Sequence, residues 1–235
     1  MRLLAFESSA KAASAALLCD GMLEGESYLN CGQTHSSTLT RLAENLLASC
    51  ALRVEDVDAV AVASGPGSFT GIRIGVAAAK GFAWGRELPL FGVSTLEAMA
   101  VGCRHLNGII CCSMDARRAQ VYNALFRAEN GELTRLTPDR AISLEQLKED
   151  LEKYSSNTFL VGDGAQLCYN ELEQELSFLS LLPEHIRLQR AASVALTAWP
   201  RLTSGERPSA EELVPNYLRL SQAERERLER MKKEN

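Results

Sequence analysis

Between Ser64 and Gly75 the chain reads Ser-Gly-Pro-Gly-Ser-Phe-Thr-Gly-Ile-Arg-Ile-Gly, directly after the apolar run Ala59-Val60-Ala61-Val62-Ala63. An apolar run followed by glycines and then a long helix-forming segment predicts a strand, a special turn and a helix from about Thr70 to Gly85. Gly65, Pro66, Gly67, Gly71 and Gly75 form that turn. Its glycines permit positive φ and close backbone approach, and the helix N-terminus offers unpaired N–H groups to an anion. No Lys-Ser or Lys-Thr follows, as a P-loop requires, and Gly65, Gly67 and Gly71 miss the dinucleotide fingerprint by about one residue. The helix carries Ile72, Ile74, Val76, Ala77, Ala78, Ala79, Phe82, Ala83 and Trp84, which leaves little polar face. Two readings stay open: a central helix under the sheet, or a helix partly covered by another chain and anchored by Phe82 and Trp84.

Strand and helix signals alternate on either side of this turn. Arg2 to Glu7 and Ala13 to Cys19 read as strands, followed by the turn pair Asp20-Gly21 and a third strand over Tyr28 to Cys31. Thr34 is an N-cap candidate for a helix through His35, Leu39, Leu42, Leu46 and Leu47. Leu90 to Val93 and a helix from Ser94 to Gly102 close a first block. A second block opens with strands at Ile109 to Asp115 and Gln120 to Phe126. It continues with a helix from Ser143 to Tyr154, a strand at Phe159 to Val161, the turn Gly162-Asp163-Gly164 and further helical stretches. The expected architecture is α/β in two similar lobes, residues 1–103 and 104–235, each a mixed sheet flanked by helices.

Composition narrows the function. A hydrophobic fraction of 46% can fill a sizeable core, while the formal charge of −5 argues against a chain that grips nucleic acid by itself. Cys19, Cys31, Cys50, Cys103, Cys111, Cys112 and Cys168 lack zinc-site spacing and read as reduced core thiols. The opening apolar stretch is too short for a signal peptide's core, and no run reaches membrane-span length, so a soluble, cytoplasmic chain is expected. His35, His105 and His185 have no metal-ligand spacing. Ser68 is out of register for a nucleophile elbow, and no Cys-His signature is present, so no catalytic residue and no metal ligand is assigned. The run from Gln222 to Asn235 mixes Glu and Arg and reads as a solvated helix, with partner or RNA docking as the alternative.

The segment Gly65-Pro-Gly-Ser-Phe-Thr-Gly-Ile-Arg-Ile-Gly75 resembles the signature of the TsaB (also YeaZ) family of the threonylcarbamoyladenosine system. The likeness runs from Glu7-Ser8-Ser9 through Phe91 to Glu97, Met114 to Arg117 and Gly162-Asp163-Gly164 to Val214 through Arg219. It implies the actin-like ATPase superfold, a cytosolic location and a paralogue, TsaD, that carries out threonylcarbamoyl transfer. In TsaD a similar turn precedes two metal-binding histidines one helical turn apart. The matching positions here hold Thr95 and Met99, so the resemblance implies no metal centre and no transferase chemistry. Glu7 and Asp115 end the first strand of each lobe, where actin-like ATPases hold acids that act on a nucleotide-bound metal. Ser8-Ser9-Ala10-Lys11 lacks the glycine of working members, which makes these two acids candidates for a vestigial nucleotide cleft.

The expected role is a non-catalytic activating subunit that pairs with TsaD and with the ATPase TsaE and meets tRNA only through that complex. No cofactor is expected to bind strongly to the chain alone, with ATP or ADP held at a shared interface. The expected docking surface is Ile72, Ile74, Val76, Ala78 and Phe82, with His35, Leu39 and Leu42, and the same surface would form a homodimer. The alternatives are a glycoprotease-like peptidase acting on the paralogue, and a stand-alone ATPase of the same superfold.

Overall fold

The computed structural model describes residues 1–219. The chain begins with β1 (Arg2–Glu7), β2 (Ala13–Cys19) and β3 (Met22–Leu29), a meander whose second turn places Asp20 and Gly21 at φ 48° and 83°. Two successive positive φ values suit a tight hairpin turn, and the register Cys19↔Met22 follows from it. Then come α1 (His35–Ser49), β4 (Ala59–Gly65), α2 (Phe69–Trp84), β5 (Leu90–Ser94) and α3 (Thr95–Gly102). The second block holds β6 (Gly108–Asp115), β7 (Gln120–Glu129), β8 (Glu132–Arg135), β9 (Arg140–Ser143), α4 (Leu144–Glu152), β10 (Thr158–Val161), α5 (Ala165–Leu172), β11 (Leu179–Leu181), α6 (Glu184–Arg187) and α7 (Ala191–Thr203).

The first sheet has the order β3-β2-β1-β4-β5 and the second β11-β10-β6-β7-β8, with β9 also on β7. The two orders match strand for strand: β1 and β6 each lie antiparallel to the next strand and parallel to the third member of the set, β4 or β10. The fold is therefore one motif built twice. Each sheet is covered on both faces, which explains why the central strands read as continuous apolar runs. Leu4, Phe6, Val60 and Val62 face α1 and α2, while Leu3, Ala5, Ala59 and Ala61 face α7. In the second sheet Ile109, Cys111 and Leu160 pack with α4 and α5, and Ile110, Cys112 and Val161 pack with α3.

The positions of α7 and β3 differ from expectation. Although α7 lies within residues 104–235, its Ala191, Val194, Ala195, Ala198 and Leu202 fill the inner face of the first sheet. The small residues let the helix lie close to strands that are themselves rich in alanine. β3 starts at Met22 rather than Tyr28, because the tight turn leaves no loop and its half-exposed sequence carries little alternation. After α7 a strap returns over the first sheet: Leu90 N–H donates to the Pro208 carbonyl (3.0 Å), Asn216 N–H to Ser64 (2.7 Å) and the Arg219 side chain to Ala116 (2.7 Å). The mixed-charge run Gln222 to Asn235 lies outside the described residues.

The glycine turn docks the loop after β1 onto α2. A Cβ on Gly71 would overlap the Ser8 carbonyl oxygen, and one on Gly75 would lie 2.5 Å from Ser8 Oγ. Ser8 Oγ also donates to the Gly71 carbonyl (2.9 Å). Gly81, on the outer face of the same helix, has open space around it. Gly71→Ala is thus expected to lower unfolding free energy by about 2–3 kcal/mol through overpacking. Gly81→Ala should raise it by up to about 1 kcal/mol through helix propensity, both read by urea denaturation; equal effects would contradict the packing.

Candidate functional site

The duplicated topology brings Glu7 and Asp115 to equivalent ends, the last residues of β1 and β6. Their environments are nonetheless unlike. Glu7 is 1% exposed and its Oε1 accepts the Ser9 backbone N–H at 2.5 Å. Asp115 is exposed and accepts the Arg117 N–H at 2.7 Å, a local turn contact. A third acid, Asp163, sits in the Gly162-Asp163-Gly164 turn after β10 and accepts from Gln189 Nε2 at 2.8 Å. Lys11, Asn30, Asp163, Gln166, Arg187 and Gln189 line a cleft of about 390 Å³.

Burial pushes the Glu7 carboxyl up to about 7; the hydrogen bond from the Ser9 backbone N–H opposes this and the negative Asp163 adds to it. Asp163 is itself raised, first by burial, with Gln189 opposing and Asp115 adding. Asp163 is thus the acid that raises Glu7 and is itself raised by Asp115, with Lys11 as a compensating cation. Among the described residues no group of three or more acids, histidines or cysteines is disposed to hold a metal ion.

The anion-binding reading of the glycine turn meets the chain's own oxygens. Ser68 N–H donates to the Ser9 carbonyl (2.7 Å), Gly71 N–H to Ser68 Oγ (3.3 Å), and a Cβ on Gly67 would lie 2.5 Å from the Ser9 carbonyl oxygen. A Cβ on Gly65 would overlap the Asn216 carbonyl oxygen of the strap. The first turn of α2 is thereby capped by Ser68 and covered from two sides. Thr95 and Met99, at the start of α3, are buried, and Met99 lies in the apolar cluster with Ile110, Cys112, Met114 and Val161. Among the described residues, Ser9 Oγ, Thr95 Oγ1, Gln189 Oε1 and His35 Nδ1 are buried without a hydrogen-bond partner.

The structure divides the expected docking residues. Ile72, Val76 and Leu39 are 1%, 5% and 1% exposed and belong to the core, because the helical period turns them onto β1 and β4 with Ala79 and Ala83. They are removed from the surface. Ile74, Ala78, Phe82 and Leu42 are half-buried at the core's edge, and Phe82 tilts against Phe6 with ring centroids 5.2 Å apart. His35 is half-buried, and its Nε2 meets the Ala10 carbonyl at 2.7 Å, so it ties α1 to the loop after β1. Trp84, the expected anchor, forms the exposed stripe of α2 together with Arg73, Ala77 and Gly81, which were not among the expected docking residues. Their spacing of three and four residues opposite the core positions was the available signal.

The family model described as TsaD, tRNA N6-adenosine threonylcarbamoyltransferase, matches residues 30–227. The protein named tRNA threonylcarbamoyladenosine biosynthesis protein TsaB of Bacillus subtilis is 32% identical over 235 residues, covering 99% of this chain and 100% of that protein. The chain belongs to the TsaB family. The Escherichia coli TsaB is 34% identical over 93% of this chain and 95% of its own length. A crystal structure from Pseudomonas aeruginosa, described as an uncharacterized protein with similarity to peptidase YEAZ, superposes with a TM-score of 0.78 at 27% identity, covering 93% of this chain and 99% of that one. With the duplicated sheet order, this likeness gives the TsaB chain the actin-like ATPase fold.

The Glu7 shift has a sign that can be tested. A carboxyl that binds its proton more tightly folded than unfolded loses stability as pH rises from its ordinary 4.5 through its folded value of about 7. Relative to wild type, Glu7→Gln should gain up to about 3 kcal/mol at pH 8 and little at pH 4. Parallel stability profiles for the two proteins would contradict the burial of the Glu7 charge.

Proposed function

We propose that this chain is a non-catalytic subunit in the biosynthesis of threonylcarbamoyladenosine on tRNA, acting in the cytoplasm through a heterodimer with a TsaD-type transferase and with the ATPase TsaE. The observation that carries this reading is that the places where an actin-like enzyme would hold its ligands are occupied by the chain's own atoms. Ser8, Ser9 and Asn216 cover the glycine turn, and Met99 extends into apolar packing where the related transferase carries a histidine. The names of the Bacillus subtilis and Escherichia coli relatives, and the transferase description of the matching family model, support the pathway. Glu7 and Asp115 are then remnants of a nucleotide cleft, and ATP or ADP is held at an interface shared with the partner. Transfer of RNA into the assembly needs that partner as well.

The docking surface is the outer side of α2 with the adjoining edge of α1: Ile74, Ala78, Phe82 and Leu42, extended by the exposed Ala77, Gly81 and Trp84. Small residues let a second helix approach closely, and Trp84, 58% exposed, supplies an aromatic anchor. A paralogue of the same fold offers an equivalent helix pair, so one surface serves homodimer and heterodimer. Ile74→Arg and Ala78→Arg are expected to abolish both pairings in size-exclusion chromatography with light scattering, with circular dichroism unchanged. A folded variant that still pairs normally overturns the surface.

A further inference from the structure

Four arginines meet at the end of the strap. Arg219 Nη1 donates to the Ala116 carbonyl at 2.7 Å and so sets the strap beside the loop between β6 and β7, which carries Arg117 and Arg118. Two residues earlier the Tyr217 hydroxyl accepts from Arg73 Nε at 2.9 Å, and the Tyr217 ring stacks on Phe69 with centroids 4.6 Å apart. The Arg73 guanidinium lies 3.9 Å over Phe69. Among the described residues, none of Arg73, Arg117, Arg118 and Arg219 forms an ion pair with a carboxylate. The nearby acid of the same loop, Asp115, takes the Arg117 backbone N–H rather than a guanidinium. Glu211 and Glu212 lie farther back on the strap.

The loop's backbone is as unusual as its charge. Arg117, Arg118 and Ala119 have φ of 62°, 58° and 54°, three consecutive non-glycine residues in the left-handed region. Arg117 and Arg118 are exposed. A chain with a formal charge of −5 thus gathers four guanidinium groups that have no carboxylate partner among the described residues beside an aromatic stack, in which Tyr217 is 38% exposed.

From this juxtaposition we infer that Arg117, Arg118, Arg73 and Arg219, with Tyr217, form an RNA-contact patch that meets the phosphate backbone and a stacked base of the tRNA once the chain is in its complex. Phosphates take guanidinium donors, and an exposed aromatic ring beside them takes a base face. An acidic protein surface would use the charges and leave the aromatic face idle. The patch rests on the subunit reading proposed above, and it explains how an acidic chain contributes to RNA binding without binding RNA well alone.

The test uses transcribed, unmodified tRNA with the full chain, alone and in complex with the transferase. Charge reversal by R117E/R118E is expected to weaken tRNA binding by the complex about tenfold and to flatten log K against log salt by about one unit per arginine, while R117K/R118K keeps most of the slope. Pairing with the transferase should be unchanged by light scattering. An unaltered tRNA affinity and slope in an intact complex overturns the patch, as does loss of binding to an acidic protein partner with RNA affinity untouched. If the wild-type chain fails to pair with the transferase, the subunit reading falls by itself. The patch is then decided on the chain alone at low salt, where R117E/R118E must reduce crosslinking to tRNA or the patch falls too.

Discussion

The approach of Ser8 to the first turn of α2 is the contact on which the other features of the cleft depend. Backbone lies against backbone there, a distance only glycine at position 71 allows. The contact fixes the loop that follows β1, and that loop seals Glu7 from water and sets the Ser9 carbonyl against the Ser68 N–H. A glycine-rich turn before a helix is equally suited to hold a phosphate or to hold a neighbouring segment of chain. Here the second use excludes the first. The same economy applies at α3, where Met99 contributes to apolar packing between the sheets.

The sequence made the strand–helix alternation visible because β1, β2, β4 and β6 are apolar on both faces and bounded by turn residues. β8, β9 and β11 were not legible: they are three or four residues long and mostly polar or half-exposed, with no period to detect. The site was legible only in part. Chain order placed Glu7 and Asp115 at strand ends, yet nothing in it distinguished a sealed carboxyl from an exposed one, since that difference comes from the Ser8–Ser9 loop folding over one of them. α2 misled for a related reason. When nearly every position is apolar, the sequence does not show which side meets the sheet, so Ile72 and Val76 look as available as Ile74 and Ala78.

Duplication also shapes how the two halves hold together. α3 packs on α7 and on β6 and β7, so one helix layer, drawn from both halves of the chain, fills the space between the sheets. The strap adds a second tie by joining Ser64 in the first sheet to Ala116 at the end of the second. Relative movement of the sheets would have to break or stretch both connections. Such a chain is suited to present a fixed surface rather than to open and close around a ligand.

The placement of α7 has a consequence for how the chain is made. The inner face of the first sheet, with Leu3, Ala5, Leu18 and Phe91, is covered by residues 191–203. A ribosome therefore completes all five strands of that sheet long before the helix that shields them emerges. During that interval a broad apolar face stands open on the nascent polypeptide, at the stage when aggregation competes with folding. Synthesis of the last fifth of the chain thus governs when the first lobe can settle, and holding factors at the tunnel exit would find their substrate on β1 and β5.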